Sequence, residues 1–134
     1  MAQLSEAQRA FIRDNAYYGV LTTLRPDGSP HSTVVWVDAD DENVLFNTFI
    51  GRAKERYVRA DPRVSLLVVN PSDGYEWVSV SGSVRLETDG AVEMIHRLSR
   101  KYDGKDFPPE ALARGERVTG RIDVEKVDSA GFDS

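Results

Sequence analysis

Residues 44–57 read Val44-Leu45-Phe46-Asn47-Thr48-Phe49-Ile50-Gly51-Arg52-Ala53-Lys54-Glu55-Arg56-Tyr57, and the stretch changes character halfway. An apolar run with strand character, Val44 to Phe49, gives out at a glycine. A basic, helix-forming segment follows at once, from Arg52 to Ala60, and stops before Asp61-Pro62, because proline disfavours helical backbone at the residue ahead of it. A strand that passes into a helix across a glycine leaves the first-turn N–H groups and the positive dipole end of the helix free to hold an anion. Thr48 can add a hydroxyl there, and Arg52 and Lys54 can add formal charge. At about 100° per residue Arg52, Arg56 and Arg59 share one helix face, while Lys54 points nearly opposite. The basic segment therefore divides into two cations at the mouth and a solvated stripe at Arg56 and Arg59. Cations in a first turn oppose the dipole by a few tenths of a kcal/mol, roughly, a cost that a bound anion would offset. A phosphate-bearing ligand is expected, most simply a cofactor.

Working outward, the flanks read as a β protein. Ser5 and Gln8 form a capping box ahead of helix formers running to about Asn15, with Phe11 and Ile12 facing the core. Tyr18 to Leu24 and His31 to Val37 are strands joined by the turn Arg25-Pro26-Asp27-Gly28-Ser29-Pro30, so they form a hairpin. The acidic segment Asp38 to Asn43 reads as a loop. Val64 to Val69 is a continuous apolar strand, buried on both faces or set in a barrel wall. Tyr75 to Leu86 alternates, with Tyr75, Trp77, Ser79 and Ser81 on one side and Val78, Val80, Val84 and Leu86 on the other. Gly82 within it marks a bulge or a close backbone approach. Asp89 to Lys101 is an amphipathic helix with Val92, Ile95, His96, Leu98 and Ser99 near one face. Asp103 to Gly115 is a loop with room for one helical turn, Arg117 to Val127 is a last strand, and residues 128–134 read as a loose tail. Six strands joined mostly by tight turns, with two to three peripheral helices, predict a mainly β (α+β) fold: an antiparallel barrel in one domain spanning 1–134, not a doubly wound parallel sheet.

Composition narrows the function. A net charge of −5 over 134 residues argues against nucleic acid as a partner. The absence of cysteine excludes a disulfide framework, a thiolate metal site and a cysteine nucleophile. No apolar run approaches the roughly 20 residues of a membrane span, and the first residues carry no apolar signal core, so a cytoplasmic protein is expected. No metal site is expected: His31 and His96 stand far apart without a third ligand at a telling spacing, and Asp38 to Glu42 lack the spacing and glycine of a calcium loop. Ser79, Ser81 and Ser83 are the polar face of a strand, with no nucleophile elbow around them. The glycines make no dinucleotide fingerprint. Tyr75 and Trp77, two apart on one strand face, suit either a buried or subunit interface or a wall against a planar ring.

Taken in order, Gly19-Val20-Leu21-Thr22-Thr23-Leu24-Arg25-Pro26-Asp27-Gly28-Ser29-Pro30-His31, Val34-Val35-Trp36-Val37, Asn47-Thr48 with Gly51-Arg52-Ala53-Lys54-Glu55-Arg56, Asp61-Pro62-Arg63-Val64-Ser65-Leu66, Trp77-Val78-Ser79-Val80-Ser81-Gly82 and Arg100-Lys101-Tyr102-Asp103-Gly104-Lys105-Asp106-Phe107-Pro108 carry a resemblance. The chain resembles the pyridoxamine 5′-phosphate oxidase-like split β-barrel superfamily, and within it the flavin/deazaflavin branch that uses coenzyme F420, from about Leu4 to Val127. The resemblance implies a homodimer with cofactor sites at the subunit interface. By it, Thr48, Arg52, Ala53 and Lys54 hold the cofactor's phosphate. The strand Ser32, Thr33, Val34, Val35 and Trp36 flanks the tricyclic ring, and Tyr75 or Trp77 comes from the partner subunit. Tyr57 stands where relatives usually carry asparagine, so a polar contact to the cofactor tail is lost or replaced by the phenol. The implied activity is hydride transfer between F420 and an unsaturated small molecule, with the hard chemistry carried by the cofactor. No catalytic residue is named by the sequence, consistent with that division of labour. The alternatives are an FMN-binding oxidase or flavin reductase of the same fold, or a non-catalytic flavin- or deazaflavin-binding protein.

Overall fold

Trp36 and Val37 join the two edges of a seven-stranded sheet, and this connection dictates the shape. The computed structural model describes residues 3–132. The strands are β1 (Gly19–Leu24), β2 (Pro30–Val35), β3 (Asp38–Ala39), β4 (Val44–Phe49), β5 (Arg63–Asn70), β6 (Asp73–Glu87) and β7 (Arg117–Ala130). All neighbouring pairs are antiparallel, in the order β2-β1-β5-β6-β7-β4-β3. A flat sheet of this width would hold its edges about 29 Å apart. The chain from Val35 to Asp38 reaches about 11 Å at most. The sheet therefore curls until β2 and β3 approach each other, giving a barrel that is split along that seam.

Alternation lines the inside of the curl. Leu21, Phe46, Leu66, Val68, Val78, Val80 and Ile122 point inward and are fully buried. β5 is a one-sided wall: Val64, Leu66 and Val68 face in, while Leu67 faces out. At Gly82 the β6–β7 register shifts, and a Cβ there would sit 2.0 Å from the Asp123 carbonyl oxygen. Only glycine permits that approach.

Among the described residues four helices decorate the sheet: α1 (Glu6–Arg13), α2 (Ala53–Ala60), α3 (Ala91–Asp103) and α4 (Pro109–Leu112). The capping box forms as expected, with Gln8 N–H donating to Ser5 Oγ at 3.1 Å and Ser5 N–H to Gln8 Oε1 at 2.9 Å.

Three expectations are corrected. Among the described residues the strands number seven, not six, because β3 arises inside the segment read as an acidic loop. Its two residues pair with Leu45 and Val44, and the buried Asp38 is held by Arg97 at 3.0 Å. A two-residue strand is too short to leave a period in the sequence. Val92 lies on the solvent side of α3; the buried stripe is Ala91, Ile95, Leu98 and Ser99. The tail expected to be loose from 128 is strand as far as Ala130, paired with β6 and fastened to α1 by Gln8 Nε2 donating to Ser129 Oγ at 3.0 Å. Phe132 then packs edge-on against Phe11. Residues 133–134 lie outside the described residues. Among the described residues no helix is long and apolar enough to cross a membrane.

Candidate functional site

The handover from β4 to α2 is built as its sequence suggests. Gly51 sits at φ +101°, a left-handed conformation that favours glycine. Arg52 is the extended N-cap, its carbonyl accepting the Arg56 N–H at 3.0 Å. The buried Glu55 ties the turn: Oε1 accepts the Gly51 N–H at 2.9 Å and Oε2 accepts Arg59 Nε at 2.6 Å. Burial pushes the Glu55 carboxyl up, but the Gly51 N–H and Arg59 outweigh it and hold it below the ordinary range. The N–H groups of Ala53, Lys54 and Glu55, in the first turn, have no intrahelical partner.

In front of this turn lies a cleft of about 240 Å³ bounded by α2, the end of β2, β4, α3 and the segment after α3. Four cations enter it: Arg52 and Lys54 from α2, Arg117 from the start of β7, and Arg114 just before it. Tyr18, Trp36, Phe49 and Phe107 give it aromatic walls. No Asp or Glu is among the described residues that line it. Lys54 is only 7% exposed and has no ion-pair or hydrogen-bond partner among the described residues. Burial first, then the neighbouring Arg52 and Arg117, push its ammonium down to about 8. Arg117, 8% exposed, is pushed down to about 10 by burial and by Arg52. Its guanidinium lies 5.7 Å from the Phe49 centroid and 5.1 Å from that of Phe107, and Arg52 stands 5.2 Å from Phe49. Positive charge crowded and desolvated without a counter-charge is costly to hold, and an anionic ligand relieves that cost.

The Trp36 wall is backed by Tyr102. Its ring stacks on Tyr102, with centroids 5.4 Å apart and planes 11° apart. The Tyr102 hydroxyl accepts the Val37 N–H at 3.0 Å and donates to the Tyr17 carbonyl at 2.6 Å. Lys101 Nζ donates to the carbonyls of Ile12 at 2.8 Å and Val37 at 2.7 Å. Burial pushes Lys101 down to about 8 and Tyr102 up to about 12. On the far wall, His96 Nδ1 accepts the Phe107 N–H at 3.1 Å, which fastens the segment after α3 to α3 itself.

The expected site residues separate into three groups. Val34, Val35, Trp36, Arg52 and Lys54 meet in the cleft, with Ala53 opening α2 beside them. Thr48, Thr33 and Tyr57 do not line it. Thr48 alternates with Asn47 and Phe49 and so turns to the other side of β4, buried, its hydroxyl without a partner among the described residues. Thr33 pairs with Leu21 on the inner face, its hydroxyl likewise unpartnered. Tyr57 meets His31 edge-on at 5.2 Å and lines a separate hollow with Arg25 and Arg56. Ser32, Tyr75 and Trp77 belong to neither setting. Ser32 is exposed beside Thr22, 2.9 Å between hydroxyls, Tyr75 is 86% exposed, and Trp77 lies on the outer face of the sheet. Asn47, Phe49, Phe107, Arg114 and Arg117 line the cleft without having been singled out. Asn47 and Phe107 stood inside quoted motifs. Arg117 carried no local signal and reaches the cleft through β4–β7 pairing, opposite Phe49.

Among the described residues no cluster of three or more His, Cys, Asp or Glu could hold a metal ion.

Comparison with known proteins agrees with this architecture. An F420H(2)-dependent biliverdin reductase of Mycobacterium tuberculosis (strain CDC 1551 / Oshkosh) is 27% identical over 125 residues, covering 93% of this chain and 87% of that protein. A solved structure named F420 reductase matches with a TM-score of 0.81 at 28% identity, over 93% of this chain and 98% of that one. A conserved hypothetical protein of Mycobacterium tuberculosis matches with a TM-score of 0.76 at 25% identity, over 98% and 91%. The family model described as pyridoxamine 5′-phosphate oxidase matches residues 4–130, nearly the whole chain. The chain belongs to the pyridoxamine 5′-phosphate oxidase family.

Proposed function

We infer that this protein is an F420-dependent reductase, acting on a conjugated small molecule and working as a homodimer. One observation carries the reading: Arg52, Lys54 and Arg117 stand uncompensated in the same cleft as the aromatic walls Trp36, Phe49 and Phe107. A planar molecule with an anionic arm satisfies both halves at once. The named activities of the two similar reductases support the choice of F420.

The residues fit such a group. The crowded cations supply charge-assisted contacts, and the free N–H groups of the α2 first turn supply neutral donors to the same end of the cleft. When bound, the reduced deazaflavin supplies the hydride. The chain's own part is to bind, orient and exclude water. Trp36, stacked on Tyr102 and followed by the Val37 carbonyl that Lys101 holds, gives the cleft an aromatic wall. Tyr102 is committed to Val37 and Tyr17 and pushed up to about 12, so its hydroxyl serves the architecture and not proton transfer.

The cleft's size and surroundings support the dimer. A cleft of about 240 Å³ is smaller than the roughly 300–1,000 Å³ of ordinary ligand pockets. One chain thus encloses part of a tricyclic cofactor, and Val34, in the cleft, is also the start of an apolar row on the outer face of the sheet. A second copy seated on that face would complete the site and bring Tyr75 or Trp77 to it.

Titration of the purified protein with oxidised F420 and, separately, FMN tests the reading. Saturable binding of F420, followed by substrate-dependent oxidation of the reduced form, is the expected result. Tight FMN binding with oxygen consumption would assign an oxidase or flavin reductase instead. Binding without turnover across conjugated carbonyls, imines and ring systems would leave a carrier.

A further inference from the structure

Arg117 is one of two buried cations in the cleft. It is 8% exposed, lines the cleft, and has no carboxylate partner among the described residues. Its one side-chain hydrogen bond among the described residues runs from Nε to Asn47 Oδ1 at 2.9 Å. Asn47 is oriented for this task, because its amide nitrogen donates to the Ala91 carbonyl at 2.9 Å and lies 3.3 Å from Thr119 Oγ1. The amide oxygen is thereby turned to Arg117. With Nε engaged and the guanidinium flanked by Phe49 and Phe107, the remaining four N–H groups of the fork are left for a ligand. Lys54 is the other buried cation of the same cleft, without a side-chain partner among the described residues, whereas Arg52 and Arg114 are exposed.

We propose that Arg117 and Lys54 together form a buried two-cation receptor, set in orientation by Asn47, for a ligand bearing two adjacent negative charges on oxygen acids. This rests on the reading of the cleft as a flavin-type cofactor site. It adds a binding residue from a strand remote from the basic helix, and it states the charge that the ligand must bring. A single negative charge would leave one desolvated cation uncompensated. The same chemistry is offered by a phosphomonoester, as in FMN, and by a phosphodiester with a neighbouring carboxylate, as in the F420 tail.

The test compares wild type with Arg117→Met, which keeps the packing between Phe49 and Phe107 but removes the charge. Four ligands are titrated by fluorescence: FMN, riboflavin, F420 and the deazaflavin chromophore without its tail. The expected result is a loss of about tenfold or more for whichever charged cofactor binds, no change for its uncharged counterpart, and a weaker dependence on salt. Arg117→Lys should recover part of the loss. An equal loss for charged and uncharged forms would make Arg117 a packing residue and overturn the proposal, as would no loss at all. Inorganic pyrophosphate gives an arm that does not depend on the cofactor reading: it should raise the melting temperature of wild type and not that of Arg117→Met. If neither cofactor binds wild type but pyrophosphate stabilises it through Arg117, the receptor stands and the cofactor reading falls. If pyrophosphate leaves wild type unmoved, the receptor falls whichever cofactor binds.

Discussion

Lys54 concentrates the chemistry of the site in one titratable group. In the free protein, burial and the nearby Arg52 and Arg117 push it down to about 8. A bound anion favours the charged form and pushes it back up. Binding near pH 8 to 9 should therefore take up a proton, and affinity for F420 should fall as pH rises from 7 through 9. Calorimetric titration in two buffers of different ionisation enthalpy measures this uptake, and Lys54→Met should show none. The same shift bears on stability. A base whose folded value lies below its unfolded one costs stability while protonated. Between about 8 and the ordinary 10.5 the unfolded chain holds a proton that the folded chain has released, so stability rises with pH in that window. Lys101 adds to the effect, since it is also pushed down to about 8. Tyr102, pushed up to about 12, works the other way once pH passes its ordinary 10. The melting temperature of the ligand-free protein should thus climb from pH 8 to about 10, and Lys54→Met should flatten part of the climb.

At the scale of elements, the α2 turn depends on Glu55 in a way the basic residues around it conceal. Glu55→Ala leaves the Gly51 N–H without its acceptor and removes the partner of Arg59, and should cost about 1–3 kcal/mol in chemical denaturation. Glu55→Gln keeps an acceptor for Gly51 and should cost less. Much of this element was legible beforehand. Strand, glycine and helix follow one another as the residues suggest, and the stripe read as solvated at Arg56 and Arg59 is exposed, while Lys54, placed nearly opposite, is buried. The sidedness of β4 was not legible: a continuous run, Val44 to Phe49, has no period to say which face looks inward. Thr48, expected to hold phosphate, lies on the side opposite Asn47 and Phe49 for that reason. Arg117 was hidden for another. It comes to the cleft through β4–β7 pairing across a long stretch of chain, and single-sequence patterning carries no register between distant strands.

At the scale of the whole molecule, the outer face of the half-barrel is the remaining question of assembly. Cross-strand register lines up Val34, Val20 and Leu67 in one row, with Val69 beside Trp77 next to it. Val34 is 64% exposed and Leu67 39%. An antiparallel sheet with one face on the core ordinarily turns polar side chains outward, so an apolar row on this side calls for a cover. A second copy, as proposed, would be a cover that also accounts for the small cleft, because Val34 belongs to both surfaces. Leu67→Glu puts a charge at the end of the row, between Val20 and Ser79, without touching the interior. Sedimentation should find wild type at twice the 14.9 kDa chain mass and Leu67→Glu at the single mass with unchanged circular dichroism. F420 affinity should fall together with dimerisation, although residue 67 does not line the cleft. A wild type that sediments as a single chain at micromolar concentration, or a monomeric variant that binds F420 as well as wild type, would place the whole site within one chain. It would then leave Trp77 without a role in binding.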